Sequence, residues 1–272
     1  MTFNPIHKVR MRALEYIHGR RIHDVGRIEG LEYTDDPDIQ SLVFICGLHR
    51  SGTTLLERLL TARFEISYLR ATVPESEGQH MQEVFSPASK FSGPGLFAFS
   101  RAMREELEAQ TDYAAYGPRI LDEWRKYVIG TAPVLLEKSP PHLTKIWWLR
   151  KVFPGSRFII MARDPRAVSG ATQKWSKTSL PELMMHWNAA YSTAMEDFSE
   201  EDCIITRYED LMETPEEEIA RLGAFLSLAP RARTGSVETR FSDLRNSNPK
   251  YFEAHNGTVY GRGVWDSFGY TV

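Results

Sequence analysis

The chain has 272 residues, of which 42% are hydrophobic and 25% are charged, and its formal net charge is -3. These values are typical of a soluble globular protein, and the length suffices for one α/β domain spanning residues 1–272. The slightly acidic balance argues against nonspecific nucleic-acid binding, so any basic site must be local. No apolar run is long enough to span a bilayer, and the charged N-terminus lacks the apolar core of a signal peptide. We therefore expect a cytoplasmic protein.

Four short apolar segments rich in β-branched residues predict buried strands at residues 42–46, 134–137, 157–162 and 203–206. Helical spacing or helix-start signals follow each of them, including the capping box at Thr214-Pro215-Glu216-Glu217. Strands that alternate with helices through short links predict a parallel sheet with right-handed crossovers. The fold class expected is therefore α/β, with three layers and a central parallel sheet flanked by helices.

Two regions of the chain show a weaker hydrophobic pattern than the predicted strands and helices. Residues 5–21 predict a basic amphipathic helix, which we expect to pack at the edge of the core. Residues 64–130 lack clear periodicity, and we interpret them as a helical insertion that shapes a substrate pocket, with residues 86–95 as a mobile gate. No H-E-x-x-H or C-x-x-C spacing appears, and we expect no metal site.

The strongest local signal is the turn between the first predicted strand and its helix, G-L-H-R-S-G-T-T at residues 47–54. Glycines at both ends permit a tight turn and close backbone approach, and the helix N-terminus offers free N–H groups to an anion. Arg50 adds a permanent cation. The turn therefore predicts a phosphate cradle, whose candidate binding residues are Arg50, Ser51, Gly52, Thr53 and Thr54.

The spacing of the cradle is that of a P-loop, G-x-x-x-x-G, but Thr53 stands where the lysine of a nucleoside triphosphatase belongs. A P-loop nucleotide or small-molecule kinase is therefore the alternative rather than the first hypothesis. A catalytically silent nucleotide-binding module is a third possibility. Such a module would retain the cradle, but its function would not depend on Lys138.

Each predicted strand ends in basic residues, and the carboxyl ends of parallel strands lie at one edge of the sheet. Arg50 follows the first strand and Lys138 ends the second. Arg163 and Arg166 follow the third, and Arg207 follows the fourth. Several cations at one edge of an acidic protein predict a focused anion-binding site.

The sequence G-L-H-R-S-G-T-T-L-L at residues 47–56 closely resembles the 5′-phosphosulfate-binding loop of sulfotransferases that use 3′-phosphoadenosine 5′-phosphosulfate (PAPS). The segments E-K-S-P at 137–140, R-F-I-I-M-A-R-D-P-R at 157–166 and R-Y-E-D-L at 207–211 are also similar to that family. The resemblance covers about residues 41–62 and 134–228 and is greatest to the tyrosylprotein and bacterial-type branch. It implies transfer of a sulfuryl group to an acceptor hydroxyl, with adenosine 3′,5′-bisphosphate as the product.

The resemblance also implies roles for residues that bind the 3′-phosphate. In the family an arginine at the strand end and a serine eight residues later hold this group. Arg163 matches the arginine, but the later position is Ala171, so Ser169 or Thr172 would have to supply the hydroxyl. Tyr208 would line the nucleotide site. A late basic loop, here residues 240–250 and 260–263, would close over the nucleotide, and its candidates are Ser247, Lys250 and Arg262.

Sulfuryl transfer, like phosphoryl transfer, is catalysed mainly by positioning and charge stabilisation. Arg50 and Lys138 would neutralise the charge that develops on the transferred group and on the leaving bisphosphate, so no metal is required.

The acceptor hydroxyl needs a general base. The related enzymes take it from the segment after the loop helix, where Glu77 is our first choice and His80 the second, with Glu75 also a candidate. We interpret His49 as shaping the loop. The acceptor, a small molecule or a peptide, and the oligomeric state are left open.

Overall fold

The computed structural model describes residues 25–235 and 244–272, and the predicted helix at 5–21 lies outside them. Its centre is a six-stranded sheet of β1 (Ser41–Gly47), β2 (Ser67–Leu69), β3 (Val128–Ile129), β4 (Val134–Lys138), β5 (Arg157–Ala162) and β6 (Cys203–Arg207). The strand order is β3-β2-β4-β1-β5-β6. All pairs are parallel except β2 with β3, which is antiparallel.

The α-helices among the described residues fall into two groups along the chain. The first group is α1 (Thr53–Arg63), α2 (Arg101–Glu108), α3 (Tyr113–Arg125) and α4 (Ile146–Val152). The second is α5 (Pro165–Ser176), α6 (Leu180–Glu196), α7 (Tyr208–Glu213), α8 (Pro215–Leu226) and α9 (Pro249–Phe252). Short 3₁₀ turns connect several of them, notably at Pro74–Ser76, Gly78–His80 and Pro140–Thr144. Within the two described ranges, no helix has the length and apolar character needed to cross a membrane.

Strand β1 separates two apolar layers because its side chains alternate between the faces of the sheet. Phe44 packs in one layer against Trp124 of α3, together with residues of α4, α5 and α6. Val43 and Ile45 point the other way, into a layer that contains Leu56 of α1 and residues of α8. Helices on both faces of a largely parallel sheet confirm the predicted three-layer α/β fold.

The structure corrects two expectations about elements. Residues 64–130 are not wholly helical, because β2 and β3 lie within this segment and extend the sheet at one edge. The short β2 and β3 have too few residues to show a sequence period. The capping box expected at residues 214–217 does not form, because the Thr214 side chain makes no cap hydrogen bond and its hydroxyl donates to the carbonyl of Asp210, although α8 does begin at Pro215.

Candidate active site

The phosphate cradle has the expected strand–turn–helix geometry. Gly47 and Gly52 are both required by close contacts. A Cβ at Gly47 would lie 2.7 Å from the carbonyl oxygen of Met161, and one at Gly52 would lie 3.0 Å from Tyr208 Cδ2. Gly52 also has φ of 105° and directly precedes α1, whose first turn contains no acidic residue. The N-terminus of α1 therefore faces the turn with uncompensated N–H groups, as an anion site requires.

The side chains of the cradle differ in their availability. Ser51 is fully buried, and its hydroxyl donates to the carbonyl of Leu48 at 2.7 Å, so this hydroxyl holds the turn together. Thr53 is buried and Thr54 is half-buried. Arg50 is exposed, has φ of 73°, and carries its guanidinium 4.5 Å from the ring centre of Trp175 on α5. Arg50 is thus the exposed cation of the cradle, and Trp175 is a neighbour that the sequence did not indicate.

Lys138 lies at the carboxyl end of β4, next to the cradle, because β4 pairs with β1. Its side chain is only 1% exposed. The ammonium donates to the carbonyl of Glu75 at 3.0 Å and lies 3.7 Å from Glu77 Oε1. The structure therefore brings the predicted catalytic cation and the first-choice base into one buried pair.

Among the three candidate bases, Glu77 has the most enclosed carboxylate. It is 6% exposed, and its Oε2 accepts a hydrogen bond of 2.6 Å from Gln79 Nε2. His80 Nε2 lies 3.9 Å from the same oxygen, so the second candidate is adjacent to the first. Glu75 is exposed and contributes its backbone carbonyl to Lys138. The geometry favours Glu77 as the base and places His80 directly beside it.

The turn that carries Glu77 is fixed by a buried carboxylate that sequence analysis missed. Glu137 Oε1 accepts from the backbone N–H of Gly78 at 2.8 Å and from the hydroxyl of Ser139 at 2.5 Å. His142 Nε2 lies 2.9 Å from Oε2 of the same carboxylate. Burial alone would raise the pKa of Glu137, but His142, Ser139 and Gly78 outweigh it and lower that pKa. An acidic residue in an otherwise apolar strand was the available signal.

Arg163 is the centre of a second cluster, beyond the end of β5. Its guanidinium donates to Asn248 Oδ1 at 2.8 Å, to Ser247 Oγ at 2.9 Å and to the carbonyl of Arg50 at 2.8 Å. It also stacks 4.2 Å from the ring centre of Tyr208, whose hydroxyl donates to the carbonyl of Arg245 at 3.0 Å. The late loop therefore reaches Arg163 through Ser247 and Tyr208 through Arg245, and a role of Ser247 in binding the nucleotide stays a prediction.

The structure separates the two candidates for the missing hydroxyl from Arg163's cluster. Ser169 and Thr172 are buried on the face of α5 that lines a small cavity with His49, and neither hydroxyl has a hydrogen-bond partner. Ala171 lies on another face and packs with Tyr251. Around the helix axis, the side chain of residue 169 is rotated by about 200° from that of residue 171, and the side chain of residue 172 by about 100°. Neither side chain therefore lies on the same face of α5 as residue 171. A hydroxyl at either position therefore cannot stand in for one at 171.

The interpretation of His49 as a residue that shapes the loop stays a prediction. The His49 ring packs edge-on against Phe97 at 5.8 Å, and burial together with the charges of Lys138 and Arg50 lowers its pKa to about 3. His49 is uncharged at neutral pH.

The remaining predicted cations have different surroundings. Arg166 pairs with Asp164 at 2.7 Å, and Arg207 lies within 4.0 Å of Glu209, so carboxylates neutralise both. Lys250 is exposed, with its ammonium 5.0 Å from the ring centre of Tyr251. Arg262 is exposed on a bend and makes no hydrogen bond or ion pair with the described residues, so the structure does not bring it into the site. In the described ranges, no group of three or more His, Cys, Asp or Glu residues could hold a metal ion.

Taken together, these elements define an anion-binding edge of an α/β sheet. A glycine-bracketed turn lies at its centre, a buried lysine–glutamate pair on one side and an arginine cluster on the other. Such a site can hold an extended dianionic or polyanionic ligand and can present a carboxylate to an incoming proton donor.

Comparison with known proteins agrees with this class of site. Residues 42–231 match the model described as the sulfotransferase family. The chain is 25% identical over 199 residues to protein-tyrosine sulfotransferase A of Caenorhabditis elegans, covering 68% of this chain and 50% of that protein. It is 27% identical over 204 residues to protein-tyrosine sulfotransferase 1 of Danio rerio, covering 69% and 53%. The chain therefore belongs to the sulfotransferase family.

A solved structure supports the fold. The sulfotransferase domain from the Synechococcus PCC 7002 olefin synthase superposes with a TM-score of 0.51 at 15% identity, covering 90% of this chain and 100% of that domain. The chain spans about half the length of the two curated relatives above.

Proposed function

We propose that this chain transfers a sulfuryl group from PAPS to an acceptor hydroxyl by in-line displacement, without a metal ion. The observation that carries the proposal is the buried Lys138–Glu77 pair beside the glycine-bracketed cradle. A cation and a carboxylate at one end of an anion site are the two groups that sulfuryl transfer to a hydroxyl requires: charge stabilisation and proton acceptance.

The residues present fit the nucleotide. The cradle and α1 would hold the 5′-phosphosulfate, since the N–H groups there have no carboxylate to satisfy them. Arg163, Ser247 and Tyr208 would hold the 3′-phosphate and ribose end. Arg50 and Lys138 would lie beside the transferred group and stabilise its negative charge, which is smaller than that of a terminal phosphate. Glu77 would accept the proton of the acceptor hydroxyl at its carboxylate.

The acceptor is proposed only as a hydroxyl-bearing small molecule or peptide. The names of the curated relatives specify protein tyrosine, which supports a peptide acceptor as one candidate. A cytoplasmic location stays a prediction. The mobility of residues 86–95 also stays a prediction, although Phe91 and Gly95 of this segment are buried.

The test is a thermal-shift titration with adenosine 3′,5′-bisphosphate, ADP and ATP, each with and without Mg²⁺. A ligand at about 100 times its Kd adds about 2.7 kcal/mol to the free energy of unfolding. We expect a metal-independent shift with the bisphosphate. In Arg163→Lys, which keeps the charge but loses the planar fork, we expect a smaller shift. Arg101→Ala, a change at an exposed helix arginine, is the control and should match the wild type. A shift only with ATP and Mg²⁺ would reject the proposal and favour the kinase.

A further inference from the structure

Tyr251 of α9 occupies the helix face on which the hydroxyl was expected. The residue is 8% exposed and packs with Ala167 and Ala171 of α5. A Cβ at Gly170 would lie only 3.1 Å from Tyr251 Cδ1, so the ring rests directly on the helix backbone there. The small residues Ala167, Gly170 and Ala171 on this face of α5 allow the aromatic ring to pack against the helix.

Three cations surround this ring. The ammonium groups of Lys174 and Lys250 lie 5.3 Å and 5.0 Å from its centre, and Arg163 Cζ lies 5.7 Å away. Among the described residues none of the three forms an ion pair with a carboxylate. Three cations around one buried ring favour a dianionic ligand over a neutral one.

The phenol of Tyr251 is available to such a ligand. Its hydroxyl makes no hydrogen bond to any part of the chain that the structure describes. Burial lowers the pKa of Arg163, and the nearby phenols of Tyr208 and Tyr251 oppose that effect. The Arg163 guanidinium lies 5.7 Å from the centre of the Tyr251 ring, so the two side chains border the same space. Tyr208, by contrast, already donates to the carbonyl of Arg245.

We propose that Tyr251 donates a hydrogen bond to the 3′-phosphate in place of the hydroxyl absent at Ala171, and that Lys174 supplies a further cation to the same group. These residues then set the selectivity of the chain for 3′-phosphorylated nucleotides. The inference rests on the proposed function, because it places the 3′-phosphate beside Arg163. The phenol acts as a donor and Lys174 as a point charge, and both remain unchanged by the transfer.

The experiment measures the Kd of adenosine 3′,5′-bisphosphate and of AMP, which lacks only the 3′-phosphate, by calorimetry. The variants are Tyr251→Phe, which keeps the ring on α5, and Lys174→Gln, which changes an exposed side chain. A hydrogen bond to a charged group corresponds to about tenfold or more in affinity. We expect each variant to weaken bisphosphate binding by about tenfold and to leave AMP binding unchanged.

Tyr113 and Lys151 provide matched controls, because Lys151 lies 5.1 Å from the Tyr113 ring elsewhere on the surface. Tyr113→Phe and Lys151→Gln should leave both Kd values unchanged. Equal losses for both nucleotides, or no loss in Tyr251→Phe, would overturn the inference while the proposed function stands. A wild-type chain that binds the bisphosphate no better than AMP would overturn both.

Discussion

At the scale of single residues, the site depends on a carboxylate and an ammonium that share a buried space. Glu77 and Lys138 are both less than 9% exposed, and their charged atoms are 3.7 Å apart. The pair therefore places a proton-accepting carboxylate directly beside the cation that would stabilise the transferred group. His80, 3.9 Å from Glu77, is the competing base.

Replacement of the two candidate bases distinguishes them. We expect Glu77→Gln to lower kcat by about 10²- to 10⁴-fold, because general-base catalysis contributes an effect of this size. The Kd of adenosine 3′,5′-bisphosphate should not increase, because the substitution removes a negative charge near the anion site. Steady-state kinetics and calorimetry measure the two quantities. His80→Gln is the matched variant, and a larger loss of kcat in it than in Glu77→Gln would show that His80 is the base.

At the scale of elements, β4 and the turn after β2 act as one unit. Successive side chains at the end of β4 point in opposite directions, so Lys138 faces the site while Glu137 and Ser139 point to the other side. There Glu137 and Ser139 accept hydrogen bonds from backbone N–H groups of the turn, and Lys138 donates to a carbonyl of the same turn. The turn also contains Glu75 and Ser76 at φ of 47° and 52°. Non-glycine residues in this region cost about 1–3 kcal/mol each, so the contacts of Glu137 hold the turn in a conformation that it would not adopt alone.

Loss of the Glu137 carboxylate should therefore destabilise the protein in a pH-dependent way. Its pKa is lowered in the folded state, so its contribution is complete above the pKa of an unfolded glutamate and is lost as the pH falls through the folded value. We expect Glu137→Gln to cost about 3–5 kcal/mol near neutral pH, as for other broken buried pairs, and less in acid. Urea denaturation between pH 3 and 7, roughly the range in which carboxylates titrate, measures this difference.

The control for this experiment is Glu105→Gln, which removes an exposed helix-surface pair with Arg101. Such pairs contribute little, so the variant should follow the wild-type curve. A stability difference for Glu137→Gln that does not change with pH would mean that the carboxylate has an ordinary pKa and that the turn is held by packing.

At the scale of the whole molecule, one sheet couples both helical layers. Phe44 at the centre of β1 is fully buried and stacks on Phe158 with ring centres 5.4 Å apart. Trp124 of α3 lies 6.5 Å from Phe44 and donates its indole N–H to the carbonyl of Gly78 at 3.0 Å. The segment 64–130 is thereby tied to the central strand and to the catalytic turn.

This coupling predicts cooperative unfolding. Phe44→Ala should cost about 3–5 kcal/mol, because it leaves a cavity in the central strand. Tryptophan fluorescence reports mainly the layer that contains Phe44, whereas far-UV circular dichroism reports both layers. We expect both signals to shift together to lower denaturant in the variant. Two separate transitions would show that the two layers unfold independently. Phe99→Ala, at an exposed position, should leave both midpoints unchanged.

The sequence by itself determined the features that depend on neighbouring residues. It predicted strands β1, β4, β5 and β6, the cradle at 47–54 and the basic strand ends. These features were predictable because strand patterns and turn chemistry are encoded over a few residues. The approach of Lys138 to the cradle also followed from the rule that parallel strands end at one edge of the sheet.

The tertiary structure decided the contacts between distant parts of the chain. Glu137 is 59 residues from Gly78, and Arg163 is 84 residues from Ser247, and no local pattern links either pair. The same holds for Tyr251 on Ala171, whose place could not be deduced from spacing along α5. A side chain's partner across the fold depends on which surfaces pack together, and packing is a property of the whole molecule rather than of any segment.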